Sequence, residues 1–398
     1  MPDFLSQAKE LFPYTQSLRR DFHIHPELGF REIRTGGIVA KELEALGIEV
    51  TKGVGKTGVV GLLEGAKPGP TLLIRFDMDA LPIIEETGAE YASQNQGVMH
   101  ACGHDGHTAI GLTVARMLHQ HRDELAGTIK FCFQPSEEGN NGEEIGGNEM
   151  MMRDGVLDAP HVDMSLSLHL WNEKPLGWLG VASGPVMAGA EIFTIKITGK
   201  GGHGAVPHQT IDPIVAAAQI INALQSIVSR NVAPLETAVV SVTTVHAGTA
   251  FNVIPQTAEL TGTIRTFDLG VRQKVVTRFE QIAHGVGEAL GCQVEVDVQR
   301  MTPALVNDEA ITSKVQDVAR RVLSESDLHT DAYVTMGAED MAFMQEKVPG
   351  CYFFVGSNDK ARHLDYGHHH PKFDFNEEAL IRASALMASA AMDILNAK

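Results

Sequence analysis

At 398 residues the chain exceeds one ordinary core, so two domains are expected, each able to bury substantial apolar surface. Hydrophobic residues make up 43% and charged residues 21%, and no stretch approaches the roughly 20 consecutive apolar residues of a bilayer span, so no membrane partner is expected. The 32 Lys and Arg against 50 Asp and Glu give a formal charge of −18, a field that repels polyphosphates and argues against nucleic acid.

The opening MPDFLSQAKELF has acidic and polar groups early, without the basic start and apolar run of a secretory signal, and a cytoplasmic location is expected. Cys102, Cys132, Cys292 and Cys351 are too scattered for a disulfide framework or paired metal knuckles. The 18 histidines are more informative, because several lie within a few residues of acids or of each other.

In chain order, Val39, Leu43 and Leu46 recur at helical spacing between Thr35 and Gly47, with Gly47 placed as a cap. Nearly continuous apolar runs follow at 58–63, 71–76, 128–133 and 162–170, as expected of strands buried on both faces. Between two of them, Ile110, Val114, Met117 and Leu118 trace a helix, and together these elements predict an α/β layered domain.

From about residue 190 the style changes. EIFTIKIT alternates with Phe193, Ile195 and Ile197 on one face, and Asp212 and Pro213 cap the striped helix IVAAAQIINALQSIV. Alternating strands at 238–245 and 257–267, a helix at about 270–290 and the strand QVEVDVQ complete a β-α-β-β-α-β order, that of a ferredoxin-like unit. After about residue 300 the first style resumes, with a helix near 308–325 and a strand at 351–356. The expected organisation is an α/β domain of residues 1–185 and 301–398 interrupted by an inserted α+β domain of residues 186–300.

Four segments place metal-ligand residue types at expected strand ends, where open α/β sheets keep their sites. They are FDMDALP with Asp77 and Asp79, HACGHDGH with Cys102, His104, Asp105 and His107, QPSEEG with Glu137 and Glu138, and SLHLW with His169. A fifth, GHHHPKFDF, supplies His368, His369 and His370. Singly, each has a plainer meaning: a small buried thiol, a turn-capping pair of aspartates, a solvated glutamate pair, a core histidine, a surface histidine run. Together they point to convergence on cations. Of two adjacent glutamates, one can bind a cation while its neighbour moves a proton in amide hydrolysis.

RFDMDALP, HACGHDGHT, FQPSEEG, GKGGHGAVPH, FNVIP, GTIRTFD, MGAEDMAF and HPKFDFNEEAL, in this order over nearly the whole chain, resemble the amidohydrolase branch of the co-catalytic metallopeptidase and aminoacylase superfamily. That branch holds hippurate hydrolases, N-acyl-L-amino-acid amidohydrolases, auxin-conjugate hydrolases and related carboxypeptidases. The resemblance implies a metallopeptidase-like catalytic domain with an inserted ferredoxin-like dimerisation domain. It also implies hydrolysis of N-acyl-L-amino acids, with dipeptidase or carboxypeptidase action as the alternative and an inactive metal-dependent binding protein as the rival of another class.

Residue by residue, the resemblance implies Cys102, His104, Glu138, His169 and His369 as ligands of two divalent cations, whether zinc, manganese, cobalt or nickel, with His368 and His370 as alternatives to His369. Glu137 becomes the general base and acid, and Asp79 a carboxylate that orients a ligand. His203 matches a residue that reaches the partner subunit's site and stabilises the oxyanion, which implies a homodimer or higher homo-oligomer. Asn252 and Arg265 match residues that hold the substrate and its carboxylate, for which a guanidinium fork is suited. Between Glu138 and MMMRDG, the stretch NNGEEIGGNE is longer than the link expected from the family, and its Glu143 and Glu144 would disfavour acidic substrates.

Overall fold

The apolar runs form the middle of a sheet because β-branched and aromatic residues there cover both faces at once, leaving no polar side for water. The computed structural model describes residues 2–331 and 333–397. The chain begins with α1 (Phe4–Glu10), α2 (Phe12–Ile24), α3 (Ile33–Ala45), β1 (Glu49–Val54), β2 (Gly58–Glu64), β3 (Lys67–Asp77), α4 (His104–Gln120), β4 (Ala126–Gln134), α5 (Gly147–Arg153), β5 (Met164–Pro175), β6 (Trp178–Gly180) and β7 (Gly184–Met187). It continues through β8 (Gly189–Thr198), β9 (Gly202–His203), α6 (Pro213–Ser226), β10 (Ala238–Ala247), β11 (Val253–Ile254), β12 (Thr257–Thr266), α7 (Leu269–Ala289) and β13 (Gln293–Thr302). It closes with β14 (Leu305–Asn307), α8 (Glu309–Val322), β15 (Asp327–His329), α9 (Met341–Gln345), β16 (Gly350–Asn358) and α10 (Ala379–Asn396).

Two compact units result, one of Met1–Val186, Val306–Tyr333 and Phe343–Lys398, the other of Met187–Leu305 and Val334–Ala342. The short segment Val334–Ala342 joins the second unit through the Met187–Thr335 bridge and the Ala188 amide, which donates to the carbonyls of Thr335 and Gly337.

The first unit is built on an eight-stranded sheet of order β1-β2-β4-β3-β5-β16-β6-β15. Its centre is parallel: β3 pairs with β4 and β5, and β5 with β16. Leu72, Ile74 and Phe76 of β3, Ile129, Phe131 and Phe133 of β4 and Leu166, Leu168 and Leu170 of β5 are buried. Each such side chain stabilises the fold by roughly 1.5–3 kcal/mol when fully taken from water. Helices α1, α2 and α10 have no counterpart in the periodicity reading. Among the described residues, α10 is the helix long and apolar enough to cross a membrane; it carries Arg382 and Asp393, 78% of it is buried, and it packs on α1, α4 and α8.

The second unit has a four-stranded sheet of order β10-β12-β8-β13, antiparallel throughout, with α6 and α7 against it. This is the ferredoxin-like arrangement, in which the first strand sits between the third and fourth. Phe193, Ile195 and Ile197 of β8 face the helices and are fully buried, while Ile192 and Lys196 are exposed. Phe193 packs on Phe279 of α7 with ring centroids 4.5 Å apart. The Asp212 carboxylate accepts the amides of Ile214 and Val215 at 2.9 and 3.4 Å, and so caps α6. The apolar run beyond Ser226 does not continue the α-helix; Ile227–Asn231 forms a π-helical turn.

Candidate metal centre

Asp77, Asp79, Cys102, His104, Glu137, Glu138, His169 and the three consecutive histidines at 368–370 all belong to the first unit, several of them where central strands end. β3 ends at Asp77, with Asp79 two residues on; β4 ends at Gln134, three residues before Glu137; His169 lies in β5. Cys102 and His104 flank Gly103, whose φ of 94° a side chain would resist, and this turn starts α4 with both donors on one side.

Donor atoms of Cys102, His104 and His169 lie within 4.8 Å of one another, as do those of Cys102, Glu138 and His369, and those of His104, Glu137 and Glu138. Cys102 Sγ is 3.5 Å from His169 Nε2, His369 Nε2 is 3.0 Å from Glu138 Oε1, and His104 Nε2 is 3.9 Å from Glu137 Oε2. All six of these sequence-identified residues therefore share one cluster.

Outer contacts decide which imidazole nitrogen faces inward. His104 Nδ1 donates to the Asp79 carbonyl at 3.0 Å and lies 3.2 Å from Asp79 Oδ1, which leaves Nε2 as the nitrogen turned toward the cluster. That Nε2 is buried and has no hydrogen-bond partner among the described residues. His169 Nδ1 donates to the Leu170 carbonyl at 2.6 Å, so its Nε2 faces Cys102. Asp79 does a second job: its Oδ2 accepts the Glu138 amide at 3.0 Å.

Electrostatics add a further argument. Burial alone would lower His104, but the carboxylates of Asp77 and Asp79 outweigh it and push the imidazole up to about 10. Burial, then Glu138 and Glu137, push the Cys102 thiol well above its ordinary range. A pocket that raises a histidine and a thiol together is short of positive charge, and thiolate, imidazole and carboxylate donors fit a divalent cation.

The three histidines of the run make different contacts, and His368 Nδ1 also comes within 3.9 Å of Cys102 Sγ. His369, with φ of 64°, faces Glu138. His368 is packed between Trp171 and Phe373 at centroid distances of 4.9 and 5.1 Å, and its Nε2 accepts the Asn172 amide. His370 stacks on Tyr366, and its Nδ1 accepts the Lys372 amide.

Supporting residues surround the cluster; His107, Asp77 and Asp105 stand among the metal-ligand residue types of the sequence, whereas Arg75 and Arg19 do not. His107 uses both ring nitrogens, Nδ1 toward Asp77 at 2.6 Å and Nε2 accepting the Leu170 amide at 2.9 Å, so it braces β5 instead of facing the cluster. The sequence offers His107 as a ligand type beside His104, and the contacts to Asp77 and Leu170 are what the structure adds. Arg75 Nη1 donates to Asp77 at 2.6 Å and completes that brace. Asp105 meets Arg19 at 2.9 Å and His23 at 2.7 Å, and Arg19 also meets Asp374 at 2.8 Å. No local pattern marks Arg19, because its carboxylate partners are all remote in sequence and its near contact is His23 Nδ1 at 3.4 Å. In the long stretch after Glu138, Glu143 pairs with Lys56.

The remaining candidates lie in the second unit. His203 is exposed on β9 opposite Val253, its Nδ1 accepting the Ala205 amide at 3.0 Å, and the Asn252 carbonyl accepts the Gly204 amide at 2.8 Å. Arg265 is half-buried on β12, with Nη1 against Thr263 Oγ1 and the Ile264 carbonyl.

This fold and donor set define a metal-dependent hydrolase of amide and peptide bonds. The description of peptidase family M20/M25/M40 matches residues 73–393, and the chain belongs to that family. It is 42% identical over 380 residues to an N-acetylcysteine deacetylase of Bacillus subtilis, covering 95% of this chain and 96% of the relative. It is 49% identical over 278 residues to an N-acyl-L-amino acid amidohydrolase of Geobacillus stearothermophilus, covering 70% and 73%. The crystal structure of the YXEP protein of Bacillus subtilis, described as a dinuclear metal binding peptidase from the M20 family, superposes with a TM-score of 0.84 at 37% identity, covering 98% of this chain and 100% of that one.

Proposed function

We propose that this chain is a cytoplasmic, homo-oligomeric enzyme that hydrolyses the amide bond of N-acyl-L-amino acids, releasing a carboxylic acid and a free amino acid. The observation that carries it is the inward-facing Nε2 of His104, buried without a hydrogen bond among the described residues, beside Cys102, Glu137, Glu138 and His169. Cys102, His104, Glu138, His169 and His369 would hold two divalent cations, zinc, manganese, cobalt or nickel. Such cations, when bound, acidify water and polarise a carbonyl.

Glu137 takes the proton of the attacking water and returns it to the departing amino group. Asp79 keeps His104 and Glu138 in register for this. Asn252 and Arg265 hold the substrate and its carboxylate, and His203 supplies a donor to the oxyanion in the site of a second copy. The pairing surface is the edge strand β10, whose ladder is open on one side and whose Val245 is exposed.

A panel of N-acetyl and N-benzoyl amino acids and dipeptides, assayed with added manganese, cobalt or zinc, tests the substrate class. Faster turnover of dipeptides would assign the chain to peptidases instead, and no turnover of either would make it a binding protein. Glu137→Gln should cut kcat by about 10² to 10⁴ at unchanged metal content; a variant that keeps its rate removes Glu137 from the proton path.

A further inference from the structure

We propose that Glu32, far from the cluster in sequence, is a positioning residue for the reaction, holding the backbone on which Glu137 stands. The inference rests on the reading of Glu137 as proton carrier. Glu32 is fully buried; its Oε1 accepts the Ser136 amide at 2.9 Å and its Oε2 the Thr57 hydroxyl at 2.5 Å. Ser136 immediately precedes Glu137 and has φ of 48°, a left-handed conformation that residues with a side chain keep only when their surroundings hold them there. On the other side of Glu137, the Glu138 amide goes to Asp79. The amides flanking Glu137 thus end on two carboxylates from two separate segments.

A role confined to helix capping does not account for Glu32. Although it stands at the start of α3, its side chain makes no capping bond there; Glu27 accepts the Arg34 and Thr35 amides instead. The same stretch approaches the Glu137 turn so closely that a Cβ on Gly29 would lie 2.3 Å from Ser136 Oγ. It is also tied to the Asp79 loop, since the Ala80 amide donates to the Glu27 carbonyl at 2.8 Å. Residues 27–35 therefore link the loops carrying Asp79 and Glu137.

Two substitutions separate geometry from charge. Glu32→Gln keeps the length, offering a carbonyl oxygen to the Ser136 amide and an NH₂ to the Thr57 oxygen. Glu32→Asp keeps the carboxyl group but withdraws it by one methylene. In the full-length, metal-loaded enzyme acting on its best N-acyl amino acid, Glu32→Asp should lower kcat by on the order of 10²-fold, with KM within about threefold and unchanged metal per chain. Glu32→Gln should stay within about fivefold of the parent. Equal damage in both variants, parental kcat in Glu32→Asp, or loss of rate in step with loss of metal overturns the proposal.

If Glu32→Asp does not fold, Thr57→Val removes the second anchor and leaves Glu32 in place; a fall in kcat without metal loss supports the proposal, and an unchanged kcat overturns it. Glu137→Gln, measured alongside, separates the two failures. An active Glu137→Gln sinks the proton-carrier reading, while an inactive one beside a fully active Glu32→Asp sinks only the role of Glu32.

Discussion

The interiors of the two units are built on different principles. In the second, the core is mainly apolar: Phe193, Ile195, Ile197, Leu260, Val275 and Phe279 fill the space between sheet and helices, and its buried carboxylates are few, Glu191 paired with Arg272 and Glu339 and Asp340 on the 334–342 segment. Its chemical candidates, His203 and Asn252, are exposed, and Arg265 is half-buried. In the first, Arg19, Glu32, Arg75, Asp77, Asp79, His104, Asp105 and His107 are buried among the strand ends. Burying charge is costly unless every group is matched, so it is kept where ligand geometry must be held rigidly. The density of buried charge around the metal-ligand residue types therefore marks the first unit as the place of chemistry, and the mainly apolar core marks the second as a scaffold for surface groups.

The largest test of this contrast is Cys102→Ala, which should lose bound metal and with it essentially all turnover; full metal occupancy by elemental analysis would break the link between cluster and cation. Next in size is Arg19→Met. It leaves the carboxylates of Asp105 and Asp374 without their guanidinium, while Glu377 keeps Arg20, and should cost about 3–5 kcal/mol in denaturant unfolding. A cost below about 1 kcal/mol would show that the network is not holding the first unit together.

In the second unit, by contrast, Asp212→Ala removes only a helix cap, and a loss of about 1 kcal/mol is expected, with hydrolysis at the parental rate. The smallest effect concerns His23. Burial and Arg19 act to lower it, but Asp105 and Glu85 outweigh them and hold it above its ordinary value. A raised histidine stabilises fully below its unfolded pKa of about 6.5, and the contribution fades as pH rises through the folded value. The Tm gap between parent and His23→Gln should thus be wider at pH 6 than at pH 9, and a gap independent of pH would remove His23 from the charged network.

Much of this was legible in the chain itself. Uniform apolar runs announced strands covered on both faces, and strict alternation in EIFTIKIT and QVEVDVQ announced a sheet with one covered face, because periodicity records which sides of a strand meet water. Cys102, His104, Glu137, Glu138 and His169 stood out because their residue types recur where strands end. Helices α1, α2 and α10 did not stand out. The last is apolar nearly all round, so it has no stripe to read; α1 has only seven residues, and α2 buries charged and polar side chains, Thr15, Arg19 and His23, with Phe22.

What the three-dimensional structure alone decided was partnership. Among three consecutive histidines, composition cannot choose; a backbone with φ of 64° turns His369 toward Glu138, while aromatic packing takes His368 and a tyrosine stack takes His370. Likewise the anchors of Glu32 and the carboxylate partners of Arg19 and His107 lie 25 to 358 positions away. Local sequence specifies a residue's own conformation and polarity, whereas the partner that a buried charge finds is set by which distant strands and helices close around it.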